Sequence, residues 1–174
     1  EPEPEPEAEP EPTPDPEPQP IKQQESGIAL NVGSSKSEIS FRPGQDINFD
    51  LINSSAVIGL NLLVHYNSSV FTPLGENNGV SALIDTFTNP SIGDDTDDLD
   101  NDSNTDKYIA LLWYNLNGEY IGRNLANLSF STSEEGVDSL TGSKVSNINL
   151  TSSPIAEGYY FNPTSIKFFP KGIS

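Results

Sequence analysis

Polar and apolar residues alternate cleanly over Asp46–Ile52: Ile47, Phe49 and Leu51 share one side and Asp46, Asn48 and Asp50 the other, the period-two pattern of a strand with one wet face. The run Ile58–Tyr66 repeats it, with Ile58, Leu60, Leu62, Val64 and Tyr66 on one face and Asn61, Leu63 and His65 on the other. Tyr108–Leu116 is apolar on both sides, which suits a strand in the middle of a sheet. Comparable runs rich in Val, Ile, Leu, Phe and Thr recur about every ten residues, separated by Gly, Asn, Ser and Pro. Together they predict strands at Ile28–Val32, Glu38–Phe41, Asp46–Ile52, Val57–Tyr66, Val80–Phe87, Lys107–Leu116, Leu125–Ser131, Val145–Thr151 and Ser165–Phe169. No segment sustains a 3.6-residue period. Nine such strands in one unit predict an all-β fold, a roughly nine-stranded β-sandwich of jelly-roll topology.

Ahead of the strands the texture is different. Pro alternates with acidic residues through Glu1–Pro20, which fixes φ, removes backbone donors and sets like charges close together. Residues 1–26 are therefore expected to form an extended linker, and residues 27–174 one domain long enough to bury a sizeable core. A chain that begins inside such a spacer reads as a piece of something longer.

Charge sharpens the picture. The formal net charge is −18; eight acids lie in residues 1–20 and seven in residues 94–106, leaving eleven acids against eight bases elsewhere. Phosphate backbones and anionic membranes would repel such a chain, so nucleic acid is not expected as a partner. No apolar run approaches the length of a membrane span, and no membrane insertion is expected. The absence of cysteine excludes a disulfide framework, a thiolate nucleophile and zinc-finger spacing, and a single histidine, His65, excludes any site that needs two imidazoles.

The concentrated acid is the main candidate for chemistry. Asp94, Asp95, Asp97, Asp98, Asp100, Asp102 and Asp106 crowd into thirteen residues just before an apolar strand. Such a run either stays solvated or is neutralised by a hard divalent cation, since clustered oxygen ligands suit Ca2+ better than zinc or copper. Asp98, Asp100, Asp102, Asn104 and Asp106 fall on every second residue, so a loop curling round one ion can aim several oxygens inward. The candidate metal ligands are accordingly Asp94, Asp95, Asp97, Asp98, Asp100, Asp102, Asn104 and Asp106, with calcium as the cofactor. The loop is not an EF-hand, because Ser103 stands where that loop needs Gly and Ile109 where it needs its bidentate Glu.

Catalysis finds little support. No Gly-x-Ser-x-Gly elbow occurs, and His65 in mid-strand is read as structural or surface rather than as the base of a triad. Asp50, Asp85, Glu119 and Glu157 give no spacing that nominates a glycosidase pair. No enzyme is expected. Aromatic residues offer a ligand-binding alternative: Trp113, Tyr114 and Tyr120 follow the acidic loop, and Tyr159, Tyr160 and Phe161 form a second cluster. Exposed aromatic faces stack on sugar rings, although Trp113 in a two-sided apolar strand is first read as core. The Asn-x-Ser/Thr triplets at Asn53, Asn67, Asn127 and Asn149 are read as polar residues rather than glycosylation acceptors.

Three stretches resemble the cohesin family of bacterial scaffolding proteins: Arg42-Pro-Gly-Gln-Asp-Ile-Asn-Phe-Asp-Leu, Ile58-Gly-Leu-Asn-Leu-Leu-Val-His-Tyr-Asn-Ser-Ser-Val-Phe, and Asn124-Leu-Ala-Asn-Leu-Ser-Phe. The first looks like the family's Pro-Gly turn and opening strand, the second like its long strand and corner, and the third like its Gly-x-Leu-Ala-x-Leu-x-Phe strand. Asn67 and Asn124 stand where the family usually has Asp and Gly. The Asp-rich insertion is similar to a loop in cohesin-like modules of large secreted bacterial proteins. This resemblance implies a nine-stranded jelly roll, a non-catalytic extracellular role, a bacterial origin, secretion or display on the cell surface, and a dockerin-like protein partner. A carbohydrate-binding module that takes a polysaccharide, and a structural or adhesive repeat unit, are the alternatives. In each case the unit is expected to be a monomeric module.

Overall fold

The computed structural model describes residues 2–13, 28–53, 59–82, 90–114, 124–154 and 158–171. In chain order these form β1 (Ile28–Leu30), β2 (Val32–Ser34), β3 (Glu38–Phe41), β4 (Asp46–Asn53), β5 (Gly59–Tyr66), β6 (Phe71–Pro73), β7 (Val80–Ala82), β8 (Ser91–Asp94), β9 (Lys107–Tyr114), β10 (Asn124–Thr132), α1 (Glu134–Ser139), β11 (Ser146–Pro154), β12 (Tyr159–Phe161) and β13 (Thr164–Pro170). Residues 2–13 of the acidic segment are exposed and carry no helix or strand.

The strands gather into two principal sheets, giving the all-β sandwich that the alternation predicts. One has the order β3-β13-β11-β5-β9-β8; the other runs β2-β4-β10-β6, with β7 also paired to β10. A small parallel pair, β1 with β12, stands beside them. Long antiparallel ladders hold the centre of each sheet: β5 pairs with β9 from Gly59↔Tyr114 to Tyr66↔Lys107, and β10 pairs with β4 with one irregularity between Asn124 and Ala126.

The inward faces follow from the sequence period. Ile47, Phe49 and Leu51 of β4, Leu60, Leu62, Val64 and Tyr66 of β5, and Leu125, Leu128 and Phe130 of β10 are buried in one core. Each fully buried Leu, Val or Phe stabilises the fold by roughly 1.5–3 kcal/mol relative to an exposed side chain. Aromatic rings fill the space between the sheets. Phe71 meets Phe168 at 5.1 Å between ring centroids, Tyr66 meets Phe130 at 5.3 Å, and Phe49 stacks on Phe130 at 6.1 Å.

The structure departs from the predicted elements in ways that have local causes. The strand expected over Ile28–Val32 is two: β1 joins β12 and β2 joins β4, and the exposed Asn31 between them accepts a hydrogen bond from the Asn162 amide at 2.7 Å. Strands β6, β8 and β12 are three or four residues long, too short for alternation to reveal them. Helix α1 is a single short element capped by the Ser133 hydroxyl, which accepts from Gly136 N at 3.1 Å. Gly136 is required there, because a Cβ would lie 1.7 Å from the carbonyl oxygen of Ser69. The remaining parts of the expected strands Val57–Tyr66, Val80–Phe87 and Lys107–Leu116 lie outside the described residues.

Candidate functional site: an acidic loop seated on a sheet face

Residues 95–106 connect β8 to β9 and fold back over the outer face of the six-stranded sheet. Turns explain the path. Asp98 N donates to Asp95 O at 3.4 Å, Asn101 N to Asp98 O at 3.0 Å, and Thr105 N to Asp102 O at 3.1 Å. Asp98 and Asn101 take positive φ values of 49° and 54°, a region that Asp and Asn tolerate better than other non-glycine residues. Both ends are tied down: Asp95 N donates to Asp106 O at 2.9 Å, and Asp106 N to Tyr66 O at 3.2 Å. The Asp106 carboxylate also accepts from Ser68 N at 2.7 Å and from the Ser68 hydroxyl.

Beneath the loop lies His65. It points away from the core, since its neighbours Val64 and Tyr66 on β5 are the inward ones, yet it is fully buried. Its Nδ1 is 2.9 Å from Asp95 Oδ2 and 3.9 Å from Asp100 Oδ2, while Nε2 is 2.6 Å from the Thr151 hydroxyl on β11. The Tyr108 ring meets the imidazole edge-on at 5.8 Å and covers Gly93, where a Cβ would come within 2.5 Å of that ring. Asn149 of β11 holds two more carboxylates, its amide donating to Asp100 Oδ2 and to Asp102 Oδ2 at 2.9 Å each. Ser165 in turn donates to Asn149 Oδ1 at 2.7 Å, which fixes the amide's orientation.

The carboxylates above His65 are crowded. Burial opposes ionisation of Asp100, but hydrogen bonds from Thr105 and Asn149, together with the charge of His65, outweigh it and hold this carboxyl below its ordinary range. Lost hydration, followed by a hydrogen bond with Asp100, raises Asp98. Asp95 and Asp100 are also within hydrogen-bonding reach of each other. Ligand atoms of His65, Asp95 and Asp100 all lie within 4.8 Å of one another, close enough to hold one metal ion. An open recess beside them is lined by Asp95, Thr96, Asp98, Ser103, Thr105 and Asp106.

The structure thus divides the candidate ligands. Asp95, Asp98, Asp100 and Asp102 converge, whereas Asp94 turns out to pair with Lys107 at 2.8 Å and Asp106 is engaged with Ser68. Asp97 and Asn104 are exposed at the surface. His65, read from sequence only as structural or surface, is the polar floor of this cluster. Its place on the outward side of an alternating strand was the available signal, but nothing local indicates that a loop thirty residues away covers it.

Trp113 is corrected as a candidate ligand-binding residue. It is fully buried on the inward side of β9 and presents no face to a sugar. The Tyr114 side chain and Tyr120 lie outside the described residues. Of the second aromatic cluster, Tyr160 is 41% exposed, while Tyr159 and Phe161 pack against the core.

No family model matches the sequence, and no curated protein does. Among solved structures the chain is similar to CaCohA2 of Clostridium acetobutylicum in solution, at 17% identity, covering 85% of this chain and 94% of that one, with a TM-score of 0.49. CaCohA2 in a complex with a CaDoc0917 variant is matched at 20% identity, over 82% and 99% of the two chains, with a TM-score of 0.46. A non-cellulosomal cohesin from the hyperthermophilic archaeon Archaeoglobus fulgidus is matched at 14% identity, over 80% and 89%, with a TM-score of 0.44. At these identities the function of those proteins does not transfer to it.

Proposed function

We propose that this chain is a non-catalytic, extracellular interaction module: an acidic spacer followed by a cohesin-like body, with a loop fixed by calcium and the outer face of its six-stranded sheet offered to a protein partner of the dockerin type. The observation that carries the calcium reading is the convergence of Asp95, Asp98, Asp100 and Asp102 over a buried imidazole. Two ionised carboxylates have no hydrogen to share, so carboxyl groups that approach one another this closely at neutral pH need either a retained proton or a cation between them. Calcium takes oxygen ligands, which makes the four carboxylates the ligands and His65 the group that orients Asp95. The ion acts structurally, by ordering the loop against the sheet.

For the partner, support comes from the open half of the same face. Leu112 is 36% exposed, and in the sheet register Leu63 pairs with Ala110 while Asn61 pairs with Leu112, so the outward side of β5 and β9 mixes apolar and amide groups. Such a face suits a protein better than a sugar, which would need an aromatic platform.

Titration calorimetry of the full chain with a dockerin-type module, in calcium, tests the partner reading. Binding that Leu112→Asp weakens supports it. Absence of binding, together with retention on an insoluble polysaccharide that Tyr160→Ala abolishes, would replace it with a carbohydrate-binding role.

A further inference from the structure

Three side chains beneath the loop are out of charge balance. Those of His65, Asp95 and Asp100 are 0%, 0% and 1% exposed, and both acids turn an oxygen toward the same ring nitrogen, His65 Nδ1, at 2.9 and 3.9 Å. A carboxylate taken out of water needs a cation or a full set of donors. One imidazole supplies at most one positive charge. No lysine or arginine among the described residues pairs with either acid, since Lys107 pairs with Asp94 and Lys144 with Asp138. Burial opposes the charge of Asp100, yet hydrogen bonds from Thr105 and Asn149 hold it ionised at neutral pH. The deficit is therefore both buried and local.

The far side of the ring completes the picture. Nε2 is 2.6 Å from the Thr151 hydroxyl, an oxygen that can accept Nε2–H and so leave a lone pair on Nδ1. A metal-binding imidazole is commonly held this way, its outer N–H on an oxygen and its inner nitrogen toward the ion. In this tautomer Nδ1 and the two carboxylates are three electron-pair donors with no hydrogen between them. Their ligand atoms all lie within 4.8 Å of one another, so one ion can touch all three. The set is chosen by the fold rather than by the acidic run, because its nitrogen comes from β5, thirty positions before Asp95 in the chain. One nitrogen with two oxygens departs from the all-oxygen shell of calcium and suits a borderline ion such as zinc, whose fourth tetrahedral position is then left to water.

We infer that His65 Nδ1, Asp95 and Asp100 form a zinc site. The inference rests on the metal-binding reading of this loop and extends it to a second kind of ion. Calcium is held by carboxylates, with the ring donating from Nδ1 to orient Asp95; zinc is held by the ring itself. Asp95 and Asp100 serve both ions, so zinc and calcium exclude each other. A single histidine is enough for such a set.

The experiment uses the full chain, stripped of metal by chelator and labelled with nitrogen-15, whose one histidine gives one pair of ring-nitrogen signals. One equivalent of zinc is expected to move the Nδ1 signal to that of a metal-bound nitrogen while Nε2 keeps its proton. Cadmium-113 in place of zinc should split the same signal, and calcium should leave Nδ1 protonated. Titration calorimetry at physiological salt should then show zinc binding that prior calcium weakens and that His65→Gln weakens roughly tenfold or more. The ring signals of the native chain carry the test even where that variant fails to fold. Zinc that leaves Nδ1 unmoved, or binds His65→Gln as tightly as the native chain, sits on the exposed acids and would overturn the inference. A calcium-induced rise in melting temperature with no zinc on the ring would also overturn it while leaving the calcium reading intact. Zinc on the ring with no effect of calcium would support it and remove the calcium reading.

Discussion

Removing calcium should lower the melting temperature of the folded body by several degrees, and the size of the shift follows from the site. The loop contributes four converging carboxylates, Asp95, Asp98, Asp100 and Asp102, three of them already oriented by His65, Thr105 and Asn149. Oxygen sites of extracellular modules bind calcium with dissociation constants of about 10⁻⁴–10⁻³ M. At a free concentration a hundredfold above the dissociation constant, binding to the native state alone stabilises it by about 2.7 kcal/mol. For a domain of this size each kcal/mol moves the midpoint by about 2–4 °C, so saturating calcium should raise it by roughly 5–11 °C over chelator. Differential scanning calorimetry at neutral pH and physiological salt measures this directly, and magnesium serves as the charge control because its small, octahedral shell fits such a loop less well. The double change Asp98→Asn, Asp100→Asn should abolish most of the shift while leaving a cooperative transition. Identical midpoints in calcium and chelator, or a calcium shift that survives the double change, would refute the assignment.

Other expectations concern the scaffold of the site. Asn149→Leu removes the donors to Asp100 and Asp102 and leaves two carboxylates short of partners; at about 1.5–3 kcal/mol for each hydrogen bond to a charged group, urea unfolding should register a loss of a few kcal/mol. Trp113→Ala should destabilise by about 3–5 kcal/mol as a cavity mutation, and any loss of ligand retention by this variant should track its unfolded fraction. Burial, and secondarily the Asp106 charge, push the Tyr66 hydroxyl up to about 12 from 10.0. A folded value above the unfolded one stabilises the fold fully below pH 10.0 and loses that contribution as the pH climbs toward 12, so melting midpoints should fall over this window and Tyr66→Phe should flatten the fall. Asp100 behaves in the opposite sense. Its depressed value stabilises the fold above its ordinary 3.8 and is lost as the pH drops through the lowered value, so Asp100→Asn should reduce the acid sensitivity of the chelated protein.

Local sequence determined the strands whose inward and outward residues alternate over seven or more positions. Strands β4, β5, β9 and β10 sit where the pattern puts them, because whether a side chain can face the core depends on its own polarity and on a period of two. Sequence also located the acid, since repulsion among neighbouring carboxylates is a property of a contiguous run. Which acids turn inward is another matter. Asp95, Asp100 and Asp102 are chosen by His65 and Asn149, thirty or more positions away in the chain, and those donors reach the loop only because β5 and β11 are neighbours in one sheet. The same non-local pairing buries His65 on a nominally wet face and splits the first strand between two sheets. Burial on an outer face is set by strand order, and strand order is fixed by the packing of the whole chain rather than by any one segment of it.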